Sequence, residues 1–272
     1  MIHKTWTNWG CKMGKNAGLI KFGAYEHIKA FYEKGEMYFN TFKWFKDLEA
    51  TGDGRADKNE YCSLHYATDN LGEHKFRFEL YPEGRPEEAI ELNKENGLIS
   101  LTIDFGDDKE YTHLYSFSCL KMNDVMQNDL IISTRNFAPT KDYAVVIYDI
   151  NAFLDKFTKA MKEKYKLGFK ATTIEYVDKN TYSGEMGAFR KFNDFAYQNE
   201  YRIAINFNSL EPQKIYIGSL KDIASKPMNK KEFYQMPLKI QHKNDVGDVV
   251  GTTIISNKSA LEEIEKEEAI KC

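Results

Sequence analysis

Cysteine is scarce and scattered in this 272-residue chain: Cys11, Cys62, Cys119 and Cys272 form no C-x-x-C pair and have no histidine at ligand spacing. That pattern argues against a structural zinc site and against a disulfide framework, so no metal ligands are assigned. The six prolines are dispersed, and no low-complexity linker or internal repeat divides the chain. No apolar run approaches the length of about 20 residues needed to cross a bilayer. Residues 1–9 lack the apolar centre of a signal peptide, and a cytoplasmic protein with no membrane partner is the expectation. Charge of one sign is also lacking, because 38 Lys and Arg stand against 41 Asp and Glu. A polynucleotide partner would therefore need a local basic patch. Several catalytic signatures are missing as well: no G-x-x-x-x-G-K-[ST], no G-x-G-x-x-G after a strand, no H-E-x-x-H and no G-x-S-x-G. The histidines His3, His27, His65, His74 and His242 share no spacing that implies a common site.

What the chain has is aromatic residues, 18 Phe and 17 Tyr, which favour strands and stacking surfaces. A strand is expected over 18–22, then a helix over 25–34 stopped by Gly35, with Ile28, Phe31 and Tyr32 as its buried stripe. A strand over 36–41 and a helical turn over 42–48 follow. Alternation marks strands over 75–80, 98–105 and 112–120, the last with Ser116 and Ser118 on one face and His113 on the other. A buried strand over 144–148 leads into a helix over 150–165, capped by Asn151. Strands over 171–177, 201–207 and 214–217, a strand-to-helix turn over 218–223 and a last strand over 252–256 complete the reading. Residues 1–258 read as one mixed α+β domain with a curved, mainly antiparallel sheet, and 259–272 as an acidic tail or helix.

Polar residues at strand positions are the candidates for chemistry. Glu200 and Arg202 open a strand that alternates through Phe207, and the two-residue repeat places both side chains on one face. A carboxylate fixed on a strand can make a precise contact, such as gripping a sugar hydroxyl. The structural alternative is a Glu–Arg pair on a sheet edge, worth little. Lys21, Tyr38, Asn40, Ser116 and Ser118 are further strand positions. Each has its own structural explanation, such as a snorkelling lysine or a core tyrosine with a wet hydroxyl. The loop 50–60 carries Arg55, Asp57 and Glu60 between glycines, without the spacing of an EF-hand. Lys159–Lys170, interleaved with Tyr165 and Phe169, is either a backbone-tracking basic surface or a solvated helix face.

In order, these segments resemble the ADP-ribosyltransferase superfamily, and within its reach a group of bacterial and phage-defence proteins. The resemblance rests on several short stretches: Gly35–Asn40 with Trp44-Phe45, the Arg55-x-Asp57-x-x-Glu60 loop, Tyr115-Ser116-Phe117-Ser118, and Ala144–Tyr148 with its helix. It continues through Phe192–Phe195, Gln198-Asn199-Glu200-Tyr201-Arg202 and the Ile217–Leu220 turn. It implies a split β-sheet with flanking helices, and NAD as cofactor. Lys21 or Arg55 would contact NAD, Ser116 and Ser118 (or Tyr38) would support the nicotinamide, and Glu200 would hold the nicotinamide ribose. Tyr38, Asn40 and Arg202 would complete the cofactor surface. This chain departs from the family pattern in having no arginine on its first strand and Ser-Phe-Ser in place of Ser-Thr-Ser. Gln198 stands two residues before Glu200, where protein-arginine modifiers carry Glu or Gln.

The implied activity is NAD-dependent ADP-ribosyl transfer by a toxin or anti-phage effector. RNA, DNA or protein would be the acceptor, and an antitoxin or regulatory protein a further partner. The alternative is a non-catalytic module on the same scaffold that senses a nucleotide or a phage protein. Lone-carboxylate chemistry is physically coherent here. Cleavage of the nicotinamide–ribose bond develops oxocarbenium character, and a carboxylate beside it stabilises that charge with no metal or covalent nucleophile. Glu200, Ser116 and Ser118 are expected to line one cleft, with the Arg55 loop reaching toward it.

Overall fold

A computed structural model describes residues 16–45, 62–67, 79–80, 90–91, 100–103, 111–121, 132, 136, 141–236, 238–243 and 249–255. The fold is mixed α+β, with mostly antiparallel pairing and few helices. The Arg55–Glu60 loop, most of the 75–80 segment and the 259–272 tail lie outside the described residues.

In chain order, strand β1 spans Asn16–Gly23, helix α1 Tyr25–Lys34, β2 Glu36–Thr41, β3 Leu64–Ala67, β4 Glu79–Leu80, β5 Ile90–Glu91 and β6 Ser100–Ile103. They are followed by β7 Thr112–Lys121, β8 Tyr143–Ile147, helix α2 Ile150–Ala160, β9 Phe169–Thr173, β10 Glu175–Val177, β11 Ser183–Glu185 and β12 Arg190–Phe192. The remainder is β13 Glu200–Asn206, β14 Gln213–Tyr216, β15 Met228–Asn229, helix α3 Lys230–Gln235, β16 Leu238–Lys243 and β17 Val249–Ile255.

The main sheet is built around β7. Along one edge β7 pairs antiparallel with the whole of β13, from Thr112↔Asn206 to Ser118↔Glu200. Along the other edge it forks. Its first residues pair with β2 (Asn40↔Leu114) and its last with β1 (Ile20↔Ser118). β14 extends the β2 branch, β8 and β15 extend the β1 branch, and β9 lies outside β13.

Alternation then decides the core. Leu19, Tyr115, Phe117, Cys119, Tyr201, Ile203 and Ile205 face one side, where Ile28 and Phe31 of α1 and Phe153 and Phe157 of α2 cover them. Phe31 packs against both Tyr115 and Phe117 with ring centroids 5.9 and 6.0 Å apart. Each such ring, fully buried, stabilises by about 1.5–3 kcal/mol. The opposite face is divided. Ile20, Leu120, Ala144 and Val146 pack under Phe233 and Tyr234 of α3 at one end. Leu114, Ala204 and Phe42 pack with Phe45 and Phe189 at the other. Between these two apolar clusters runs a polar band.

Helix α1 ends as its sequence requires. Gly35 takes φ 63° and donates to Phe31 O at 2.8 Å. A Cβ there would lie 2.2 Å from Gly218 O, so only glycine permits this close approach.

Three expectations need correction. The cap of α2 is Asp149, whose Oδ1 accepts from Ala152 N at 2.9 Å; Asn151 is already inside the first turn and exposed. Only a side chain placed before the helix can reach the free amides of that turn. The helix runs to Ala160 and widens into a π-turn over Met161–Tyr165. The 218–223 segment turns without starting a helix. Leu220 and Ile223 are buried, Ile223 O accepts from Tyr148 N at 3.1 Å, and Ala224 bridges to Ile147, so the chain is drawn back to the sheet. The 171–177 strand divides at Ile174, whose amide donates to Glu200 O at 2.9 Å. Among the described residues no helix is long and apolar enough to cross a membrane.

Candidate functional site

The polar band is centred on Glu200. Asn199 adopts a left-handed conformation (φ 43°) at the end of the 3-10 turn Asn193–Gln198, which asparagine tolerates better than most residues. That kink delivers Glu200 as the first residue of β13. The two-residue repeat puts Arg202 on the same face, and cross-strand pairing sets Ser118 opposite Glu200 and Ser116 opposite Arg202. Four polar side chains therefore share one patch of the sheet.

Glu200 is 5% exposed and Arg202 1%. Arg202 Nε donates to Glu200 Oε1 at 2.7 Å, and its Nη1 donates to Ala188 O at 2.7 Å. Ser116 Oγ donates to the same Oε1. Lys191, from β12 above the sheet, sets its Nζ 2.9 Å from Glu200 Oε2 and donates to Gln198 Oε1 at 3.0 Å. Its ammonium also lies 5.5 Å from the centre of the Phe195 ring. Tyr176 on β10 accepts the Glu200 amide at 2.9 Å.

Burial pushes the Glu200 carboxyl upward, but Arg202 and Lys191, with hydrogen bonds from Arg202 and Ser116, outweigh it. The net direction is below the ordinary carboxylate range, so Glu200 is a carboxylate at neutral pH. Tyr176 is pushed up to about 12, chiefly by burial and then by the Glu200 charge, so its hydroxyl stays protonated. Oε2 is held by the Lys191 ion pair and, among the described residues, accepts no aligned hydrogen bond.

The other sequence-derived candidates take separate places. Lys21 leaves β1 on the aromatic side of the sheet, opposite Val145, with its Nζ 3.8 Å from the centre of the Tyr115 ring. It donates to the backbone carbonyl of Ser116 at 2.9 Å. Burial first, then Lys141, pull its pKa down to about 7, against an upward pull from Glu200. Tyr38 and Asn40 lie on the Glu200 side of the sheet by register, out on the β2 branch. Tyr38 is exposed, and the buried Asn40 Oδ1 has no hydrogen-bond partner among the described residues. Ser118 is buried beside Glu200. Arg55 lies outside the described residues.

His113 points away from the serines, its ring nitrogens 2.9 and 2.8 Å from the carbonyl oxygens of Tyr111 and Glu211. That is a structural role. Among the described residues no group of three or more His, Cys, Asp or Glu side chains is placed to hold a metal ion.

Comparison with protein-family models, with curated proteins and with solved structures returns no match. The functional reading therefore rests on this geometry and on the residue pattern.

Sequence reasoning passed over Lys191 and Tyr176. Lys191 alternates with Arg190 and Phe192 in a three-residue strand, too short for a period to show. β12 pairs parallel with β10, so both missed residues belong to a small second layer over β13. The one available signal was a lysine set among apolar and aromatic neighbours, which asks for a buried counter-charge without naming it.

Proposed function

We propose that this chain is an NAD-dependent ADP-ribosyltransferase in which Glu200 holds the nicotinamide ribose. The observation that carries the reading is Glu200 itself: a buried carboxylate at a strand start, fixed through Oε1 by Arg202 and Ser116, with Oε2 accepting no aligned hydrogen bond among the described residues. A preorganised acceptor of this kind suits a ribose hydroxyl, and its charge suits a developing oxocarbenium.

In the proposed reaction the bond from ribose C1′ to the nicotinamide nitrogen breaks, and its electron pair leaves with neutral nicotinamide. The acceptor's lone pair then forms the new bond to C1′, and its proton passes to solvent. Arg202 and Ser116 keep the carboxylate ionised and aimed throughout. For Oε2 to take the ribose hydroxyl, the Lys191 ammonium withdraws from it, and Gln198 Oε1 is already in place to hold that ammonium. The acceptor is a nucleic acid or a protein, and the context a cytoplasmic toxin or anti-phage effector held in check by a regulatory partner.

A second reading is favoured by the low exposure of Glu200. With Lys191 in place the cluster is a sealed ion network, as in a non-catalytic module that binds a nucleotide or a phage protein. One experiment separates the two. Purified protein is incubated with NAD labelled in the adenylate moiety, alone and with nucleic-acid and protein acceptors, and nicotinamide release and label transfer are followed. The enzyme releases nicotinamide, and Glu200→Gln lowers that rate about 100-fold or more while the protein stays folded. No release from the parent, or equal release from a folded Glu200→Gln protein, defeats the enzymatic reading.

A further inference from the structure

We propose that Lys21 is a positioning residue for the Glu200 site, acting through Ser116 by closing the fork in the sheet. This rests on the enzymatic reading above for its consequence, although not for its geometry. Between its pairing with β2 at Leu114 and with β1 at Ser118, β7 has three residues, Tyr115, Ser116 and Phe117, with no strand partner on that edge among the described residues. Cys119 N donates to Asn199 O at 2.6 Å on the β13 side. In an antiparallel ladder alternate residues turn their backbone groups to opposite neighbours, so Ser116 turns its carbonyl into the fork. A sheet carbonyl left there without a donor costs free energy and frees the strand to move.

Lys21 supplies the donor. Its Nζ spans the gap to Ser116 O at 2.9 Å while lying over the Tyr115 ring, 3.8 Å from its centre. The aromatic contact fixes the stem and the hydrogen bond fixes the carbonyl. The other end of the same residue, Ser116 Oγ, holds Glu200 Oε1. Lys21 thus stands behind the catalytic carboxylate, one residue removed, on the opposite face of the sheet. Lys21 touches no reacting atom in this arrangement. It keeps Ser116, and through it Glu200, at one setting.

A double-mutant cycle on nicotinamide release by the full chain tests the idea, using Lys21→Met and Ser116→Ala, with hydrogen exchange followed on the same proteins. Lys21→Met is expected to lower kcat/KM about tenfold in the parent and less than about twofold in the Ser116→Ala background, because both act through one contact. Effects that simply multiply overturn the proposal. Should Lys21→Met not fold, Lys21→Gln takes its place in the cycle with the same expectations. Exchange in peptides covering 113–118 and 199–204 is expected to accelerate about tenfold in the Lys21 variant, and that of α2 to stay as in the parent. Unchanged exchange around Ser116 overturns the proposal whatever the enzyme assay gives. If the parent releases no nicotinamide, the enzymatic reading falls, and the exchange result alone decides whether Lys21 holds Ser116.

Discussion

Replacing Glu200 by glutamine changes one charge and almost no volume, so its effect on stability measures what the buried ion network is worth. In the native protein two cations share this carboxylate, Arg202 Nε at 2.7 Å and Lys191 Nζ at 2.9 Å, and neither is more than 5% exposed. Removing one partner of a buried pair typically costs about 3–5 kcal/mol, because the remaining charge stays out of water. Glutamine keeps an oxygen for Arg202 and Ser116, which places the expected loss near the lower end, about 3 kcal/mol. For a domain of this size that corresponds to a fall in Tm of roughly 6–12 °C. A protein with an ordinary stability of about 5–15 kcal/mol survives such a loss, so the variant is expected to fold at 25 °C.

Urea unfolding at pH 7 gives the difference directly, and repeating it toward acid gives the sign. Glu200 has a folded pKa below its unfolded value near 4.5. Its contribution is therefore present above pH 4.5 and is lost as the pH falls toward the folded value, with a limiting slope of about 1.4 kcal/mol per pH unit. The gap between parent and Glu200→Gln should be full at pH 7 and narrow steadily below pH 4.5. Equal stability at pH 7, or a gap that does not change in acid, refutes the claim that the folded protein holds Glu200 as a paired carboxylate.

Lys21 makes a prediction of the same sign in a more alkaline window: its folded pKa of about 7 lies below the unfolded 10.5, so between these values the unfolded chain carries one more proton. Parent stability, measured against Lys21→Met, should rise by up to about 1.4 kcal/mol per pH unit from pH 7 toward pH 10, and parallel pH profiles would contradict the assignment. Tyr176→Phe removes the acceptor of the Glu200 amide and should cost roughly 1–3 kcal/mol in urea unfolding, and unchanged stability would contradict that role. Gly35→Ala combines a left-handed backbone with a collision against Gly218 O, so a loss of about 3 kcal/mol is expected by thermal unfolding; a loss under 1 kcal/mol would show that the α1–β14 junction relaxes freely.

Several elements were legible because their cause is local. The stripe of Ile28 and Phe31 and the stop at Gly35 define α1, and the period of two in 112–120 and 201–207 defines β7 and β13 within a residue or so. The same period fixed which residues share a face, so the grouping of Ser116, Ser118, Glu200 and Arg202 follows once β7 and β13 are neighbours. Short elements escaped notice, since a three-residue strand such as β12 has no measurable period. Helix α3 escaped as well, although its Asn229…Glu232 capping box is a local signal. Pairing is a different matter. No residue of β7 states that its far edge divides between β1 and β2, because that pairing joins strands distant in sequence. The sequence by itself determined that Glu200 begins a strand with Arg202 on its side. Only the tertiary structure decided that Lys191 descends on Glu200 from a second layer and that Lys21 reaches Ser116 through the fork. The Lys21–Ser116 contact joins segments 95 residues apart and the Lys191–Glu200 contact crosses between two sheets, and a charged side chain finds its partner through space, where alternation and spacing carry no information.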